Sequence, residues 1–554
     1  MQRLESELEA FDDLLIEPGV VLEISWVIED LRSRGVVFGF GHGPQCGSLL
    51  FYLLGLHGID PLKHELPFTG FGSELLAKRL HLRVPSRAEQ AETVSMLRHY
   101  ARIAPGDKVD EKAVYVIVGR EQAPGLVHEM MLMLARMQGH KGPNPGEQPD
   151  TRADTKTFAL IAQGKTSGIP LLENPQMREC LRRIPPGDIA ELERITAVCR
   201  DGAPSGLKSN YLAACEEQHR PPIPHPELEE ILSSSANVWL FYEQVVAAVA
   251  RLTRLSWAEA RIICSHLSAE SELPREGRVS GQVAADIATA CGLPQARGIY
   301  LLRLLRQAMA QTVERSALLP EVLEAYRQAY VKAHYPAVFY AAHINQLLGR
   351  FKPQEGVRYT QPFGSSSSDE YRDALLEQCR EAAQAGIAVL PPDINRSDWG
   401  FKSIDRDRIL FGLGAIACID RSTARRIVSG RQAEPYRSIM DIIAKACDGS
   451  VNYSLIEPLI LSGAMDGFRR SRSSLLQELN AISGGVHVRA DVVEQAEKAG
   501  SDESYGQLPS LGLNGYMRSE ASWAFQRELD VLGCVPSCGY HPDKGKTATI
   551  SACT

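Results

Sequence analysis

Three short constellations carry residues able to do chemistry. The first is Gly39-Phe40-Gly41-His42-Gly43-Pro44-Gln45-Cys46-Gly47-Ser48, set between a strand-like Gly35-Val36-Val37-Phe38 and an apolar run, Leu49 to Leu56. Glycines let backbone N–H groups approach an anion closely, and a helix opening after Ser48 adds a dipole that favours phosphate. The spacing is neither a Walker loop, since no Gly-Lys-Ser/Thr follows, nor a convincing dinucleotide fingerprint. A turn that only packs strand on helix would use the same glycines. The second constellation is Asp405-Arg406-Asp407, the one Asp-x-Asp in the chain. It lies between strand-like Trp399 to Ile404 and Ile409 to Phe411, where a charged hairpin turn is expected rather than a metal site. The third is Gly412-Leu413-Gly414, followed by Asp420 or Ser422 as the cap of a helix bearing Arg421, Arg425 and Arg426. Exposed N–H groups at a glycine turn, with guanidiniums one turn away, make a sequence-blind phosphate clamp. An ordinary solvated arginine face is the bland alternative.

The elements that must position these groups are mostly helical. Glu227 to Leu232, Tyr242 to Leu255, Trp257 to Leu267, Leu301 to Thr312 and Leu319 to Leu347 place apolar residues at three- and four-residue intervals. Asn452 to Ser462 forms another helix, ended by Gly463 and followed by Arg469, Arg470 and Arg472. Ser86 to Glu89 forms a capping box that opens a helix through Tyr100. Strand signals are few: Val114 to Val118, Ile387 to Leu390 and Ile409 to Phe411. Residues 139–153, rich in Gly, Pro and charge, read as a linker, as do 351–369 with their Gly-Ser run and 484–517.

Composition bounds the function. With 554 residues, about three or four domains are expected. The longest apolar stretches fall well short of the ~20 residues a membrane span needs, and the acidic N-terminus is unlike a signal peptide, so a cytoplasmic protein without membrane association is expected. The twelve cysteines are dispersed, as reduced, buried small hydrophobes would be. Net charge is −8, yet residues 401–480 hold twelve Lys/Arg against nine acids. A local phosphate-binding surface is therefore compatible with an acidic chain. Cys534, Cys538, His541 and Cys553 fit zinc spacing only loosely, and no metal is assigned to them. No nucleophile-elbow motif is present.

Longer matches then accumulate. The stretch Phe38 to Phe68, which includes Ile59-Asp60-Pro61-Leu62, resembles the palm segment of the bacterial C-family replicative polymerase, the DNA polymerase III α subunit. Ser167 to Ile184, Phe241-Tyr242-Glu243-Gln244-Val245, Tyr330 to Ala337, Leu390 to Asn395 and Phe411 to Ile416 match further family motifs in order. The resemblance implies a multidomain, mainly α fold with a small α/β part. Its pieces would be a remnant nucleotidyltransferase-like palm (1–138), a fingers-like helical domain (154–350), and a connector with a tandem helix-hairpin-helix module (370–483). A flexible linker and the start of a C-terminal module (484–554) would follow. It makes Gly39, Gly41, His42, Gly43, Gly47 and Ser48 a phosphate-loop remnant, with His42 and Pro44 standing at the family's Arg and Ser.

The family holds two metal ions on three carboxylates, which activate a primer hydroxyl and steady the leaving pyrophosphate. Here the corresponding positions are Ser86, Ala88 and Met130, none of which can serve as a hard-metal ligand. The resemblance further implies that the stretch from 86 to 130 leaves no room for the family's thumb, and it sets the start of the sequence inside the palm, so no metal-dependent phosphoesterase domain is expected in it. The resemblance thus implies a non-catalytic, DNA-binding relative without cofactor. It would hold double-stranded or primed DNA through Gly412, Gly414, Arg421, Arg425, Arg426, Arg469 and Arg470, with Arg178, Arg182, Arg183 and Lys332 as further template contacts. The alternatives are an active, error-prone DNA-directed DNA polymerase using Mg²⁺, and an interaction platform for a partner polymerase. Gln507 to Leu513 stands where the family carries its sliding-clamp peptide, without the usual Leu-Phe ending.

Overall fold

The Tyr242–Thr253 segment shows how this sequence makes its helices. Val245, Val246, Val249 and Leu252 recur at helical spacing and are all buried, while the Gln244 side-chain carbonyl accepts the N–H groups of Leu240 and Phe241 ahead of the first turn. Donors that the helix leaves unpaired are thereby satisfied. The structure is a computed structural model that describes residues 2–12, 18–33, 40–41, 43–68, 80–84, 114–118, 129–131, 133–134, 154–200, 202–204, 206–216, 220–270, 278–351, 366–416, 419–447, 453–482 and 532. Two compact units divide it, residues 1–128 with 144–333, and residues 129–143 with 334–554.

The first unit opens with α1 (Gln2–Asp12), α2 (Pro18–Ser33) and the short α3 (Leu49–Leu53). Two strands follow, β1 (Leu80–Val84) and β2 (Val114–Val118), paired in parallel with Leu80 opposite Val114. Only β2 was legible in the sequence, because β1 is a five-residue piece without β-branched residues until its last position. Then come α4 (Thr155–Ala162), α5 (Pro175–Arg183), α6 (Ile189–Cys199), α7 (Leu207–Cys215) and α8 (Glu229–Leu232). The Tyr242–Thr253 helix is α9, followed by α10 (Trp257–Glu270), α11 (Arg278–Ala290), α12 (Gln295–Met309) and α13 (Arg315–His334).

Helices α8 to α12 share one apolar core around Leu232, Val245, Cys264, Ile287 and Leu305. Gly298 of α12 faces the Ala284 carbonyl so closely that a Cβ would collide with it, so glycine sets the approach of α11 and α12. At the start of α13, Arg315 holds the buried Glu193 carboxylate of α6 through Nε at 3.1 Å and Nη2 at 2.9 Å, and donates to the His64 carbonyl at 3.2 Å. One guanidinium therefore ties the segment after α3 to the helical core.

The second unit begins its main run with α14 (Pro336–Phe351) and α15 (Ser366–Gln384). The expected single helix from Leu319 to Leu347 is two, because Tyr335 precedes Pro336 and the proline ring disfavours helical backbone there. Helix α15 starts inside the expected 351–369 linker, the serine run supplying its first turn. The sheet has the order β3 (Ala388–Leu390), β5 (Arg408–Leu410), β4 (Lys402–Ser403), parallel then antiparallel. Strand β4 is shorter than the expected Trp399 to Ile404, because the Trp399 carbonyl accepts from Gly414 and the Phe401 N–H donates to Asn345 Oδ1. Helices α16 (Arg421–Gly430), α17 (Ile439–Ala446), α18 (Tyr453–Leu461) and α19 (Arg472–Ile482) complete the unit. The architecture is mainly helical with a small mixed sheet, as the sequence implies.

Candidate nucleic-acid interface

Helix α16 is capped by Asp420, whose Oδ1 accepts the Thr423 N–H at 2.7 Å and the Ser422 hydroxyl at 2.8 Å. Thr423, Ala424 and Ile427 turn inward, while Arg421, Arg425 and Arg426 are exposed. The cap and the apolar face fix the helix, and the remaining face presents three guanidiniums within two turns. Helix α17 packs back against it: Ile439, Ile442, Ile443 and Ala446 are buried, and Ser438 caps it by accepting the Asp441 N–H. The Tyr436 hydroxyl donates to the Ile427 carbonyl at 2.9 Å and sits where any side chain at position 430 would have to be, so only glycine fits the α16 end.

The connector locks this hairpin to the sheet. Asn395 pairs with the Tyr436 backbone in both directions, at 2.9 Å and 2.8 Å. Arg431 is spent on the Ile394 and Ser397 carbonyls and on Asp398. The Leu390 to Asn395 motif thus has a structural task here, which its sequence pattern did not announce.

The Gly412–Gly414 clamp expected from the sequence requires N–H groups open to solvent, and the structure corrects that expectation. The Leu413 N–H donates to the Asp398 carbonyl at 2.9 Å and the Gly414 N–H to the Trp399 carbonyl at 2.8 Å, and all three residues are buried. A Cβ at Gly414 would run into the Trp399 ring. These glycines let the Trp399 segment pack, and the Leu413 and Gly414 N–H groups are taken by that segment rather than offered to phosphate. The Asp405–Asp407 turn behaves as expected, joining β4 and β5 with Asp405 paired to Arg408, which holds its carboxyl below the usual range.

The second hairpin is α18–α19. Gly463 takes a left-handed φ of 81° after α18, with its own N–H reaching the Ile460 carbonyl and the Ala464 N–H reaching Leu459. This pattern satisfies the last carbonyls of the helix and needs glycine at the turn. Of the arginines that follow, Arg469 is exposed, Arg470 pairs with Glu478, and Arg472 is buried against Asp466. Arg472 is therefore part of the hairpin's interior and not of its surface.

In the first unit, the helix that follows the Gly-rich loop already has an anion at its N-terminus. The buried Glu7 carboxylate accepts the Ser48 hydroxyl at 2.9 Å and the N–H groups of Leu49 and Leu50 at 3.0 Å and 2.8 Å, and pairs with Arg3. The N–H groups expected to meet phosphate at α3 are thus filled by the protein itself, a contact no local spacing signals. Gly41, Gly43 and Gly47 are buried, Gly41 against Cys46 and His57. Gly39 and His42 lie outside the described residues.

The other expected positions separate. Arg178 donates to the Ser167 hydroxyl at 3.0 Å and Lys332 to the Ser167 carbonyl at 2.7 Å, so this pair meets around one residue. Arg183 grips Glu216 through two nitrogens, and Arg182 is exposed. Met130 is fully buried, and the neighbouring Glu129 accepts from Asn345 Nδ2 at 2.6 Å. Ser86, Ala88, the helix expected after them, Gln507 to Leu513 and the Cys534–Cys553 group lie outside the described residues. Among the described residues no three His, Cys, Asp or Glu side chains converge on a metal position, and no helix is long and apolar enough to cross a membrane.

Two helical hairpins in series beside a small sheet, the first with a basic outer face, define a helix-hairpin-helix protein. Residues 386–475 match the model of that motif, residues 129–277 that of the bacterial DNA polymerase III alpha subunit finger domain, and residues 1–75 that of the bacterial DNA polymerase III alpha NTPase domain. Over these segments the chain is a relative of the bacterial DNA polymerase III alpha subunit. It is 26% identical over 403 residues to the DNA polymerase III subunit alpha of Bacillus subtilis, covering 69% of this chain and 34% of that protein. To that of Halalkalibacterium halodurans it is 30% identical over 317 residues, covering 56% and 26%, and to that of Aquifex aeolicus 26% over 332, covering 59% and 26%. The matches thus span about a quarter to a third of the length of these relatives.

Proposed function

We propose that this chain is a non-catalytic, DNA-binding member of the family, acting in bacterial DNA replication or repair, with a palm-like part (1–138), a fingers-like part (154–350) and the helix-hairpin-helix module (370–483) as its working pieces. The observation that carries the reading is the exposed Arg421, Arg425 and Arg426 face on a helix fixed by Asp420 within the hairpin module. Guanidiniums on a rigid helix meet backbone phosphates without reading bases, so double-stranded and primed DNA of any sequence are the ligands. With the Leu413 and Gly414 N–H groups turned inward, the side chains and not the glycine turn make the contact.

The absence of catalysis is inferred from the position aligned with the family's third acid. Met130 is a buried thioether, and a soft, poorly accepting sulfur does not fit a hard divalent ion such as Mg²⁺. Ser86 and Ala88 supply no carboxylate at the other two. The test is primer extension by the full chain on a primed template with Mg²⁺ or Mn²⁺, run beside duplex binding at several salt concentrations. Binding without extension is the expected result. Extension would establish the active-polymerase reading, and neither activity would leave the partner-platform reading.

A further inference from the structure

A cavity of about 240 Å³ lies in the first unit where the end of α5, one face of α6, helix α7 and the turn at 233–236 meet. Helical spacing aims its polar groups inward: Glu191 and Arg194 are three apart on α6, and Tyr211 and Cys215 are four apart on α7. Arg194 and Arg220 both line the cavity, together with Tyr211 and Cys215. Two cations thus border the same cavity. A single carboxylate opposes them, and it is partly engaged: Glu191 Oε2 accepts the Gly187 N–H at 2.7 Å, and its nearest approach to Arg194 is 4.0 Å.

We propose that this cavity binds a phosphomonoester group. Arg194 and Arg220 supply forked donors that suit a tetrahedral oxyanion, and the Ser234 hydroxyl on the facing turn adds a donor at the rim. Ile184, Pro185 and Ile195 form an apolar wall against which a sugar or base can lie. At about 240 Å³ the space is below the ~300 Å³ where ligand pockets ordinarily begin, which favours one phosphate and its sugar over a triphosphate. Two sources carry that group, a free mononucleotide and the 5′-phosphorylated end of a DNA strand. The site is built from other residues than the hairpin arginines, so its test does not depend on the DNA-binding reading above.

The full chain is titrated with deoxyadenosine monophosphate and deoxyadenosine, and with single strands identical except for a 5′-phosphate or 5′-hydroxyl. The phosphorylated member of at least one pair is expected to bind tenfold or more tightly, and Arg220→Ala, an exposed position, is expected to abolish that preference with an unchanged Tm. Tyr211→Phe should weaken it less. A preference confined to the mononucleotide identifies the free nucleotide as ligand; one extending to the strands identifies the DNA end. Arg425→Ala/Arg426→Ala, which removes the proposed backbone contact, should leave the preference intact. No preference in either pair, or one that survives Arg220→Ala, overturns the proposal.

Discussion

The guanidinium of Arg472 holds both carboxylate oxygens of Asp466, at 2.9 Å through Nε and 2.7 Å through Nη2, and reaches the Leu461 carbonyl at 3.2 Å. Its side chain is 2% exposed and that of Asp466 18%. The pair spans the turn between α18 and α19, and Gly463 leaves room for it, since a Cβ there would overlap the guanidinium. Arg472→Ala would strand a mostly buried carboxylate and a helix-end carbonyl. A loss of about 3–5 kcal/mol is expected in the unfolding of the second unit, the usual cost of breaking a buried pair from one side. Urea unfolding followed by circular dichroism measures it, and an unchanged midpoint would refute the structural role.

Gly414→Ala tests the close approach of Trp399. The added methyl meets the indole ring, so a destabilisation of about 1–3 kcal/mol is expected from overpacking. Gly467→Ala is the control, because nothing lies within 4 Å of its Cβ position. Equal thermal midpoints for the two variants would contradict the packing assigned to the 412–414 turn.

For DNA, Arg425→Ala/Arg426→Ala should weaken binding to all duplexes alike. The slope of log affinity against log salt should fall by about 0.9 for each phosphate the protein no longer neutralises. Arg178→Ala/Arg182→Ala should do less, since Arg178 is engaged with Ser167. Fluorescence anisotropy at four salt concentrations checks both. Retained affinity in the Arg425/Arg426 variant would remove α16 from the interface.

Two buried groups set opposing pH slopes in the first unit. Burial pushes His57 down to about 4, against an ordinary 6.5, with its Nε2 3.0 Å from the Ser48 carbonyl oxygen. The unfolded chain then takes up the proton first, so this contribution is complete above pH 6.5 and is lost as pH falls through 4. Burial pushes Glu243 up to about 7, against an ordinary 4.5, so its contribution is complete below pH 4.5 and is lost as pH rises through 7. Each is on the order of 3 kcal/mol at full effect. Relative to the unsubstituted protein, His57→Gln should make stability fall more steeply as pH rises from 4.5 to 7, and Glu243→Gln should make it fall more steeply as pH drops from 6.5 to 4. Parallel stability–pH curves for all three proteins would rule out both buried titrations.

What the sequence determined by itself was set by local rules. Apolar residues at three- and four-residue steps placed α9 and α10 to within about three residues, because burial of one helical face needs only that spacing. The acid at 420 capped α16, and the Asp405–Asp407 turn joined its strands, because both depend on neighbours in the chain. Ordered motifs along the chain carried the family resemblance. Whether a donor is free was beyond that reach. The Leu413 and Gly414 N–H groups meet Asp398 and Trp399, Glu7 meets Ser48 from 41 residues away, and Arg472 turns inward while Arg469, three positions before it, stays in solvent. A polar group taken from water must find a partner, and which partner is near is decided when distant segments pack. Residue types supplied the candidate phosphate contacts; the tertiary structure decided which of them were already taken.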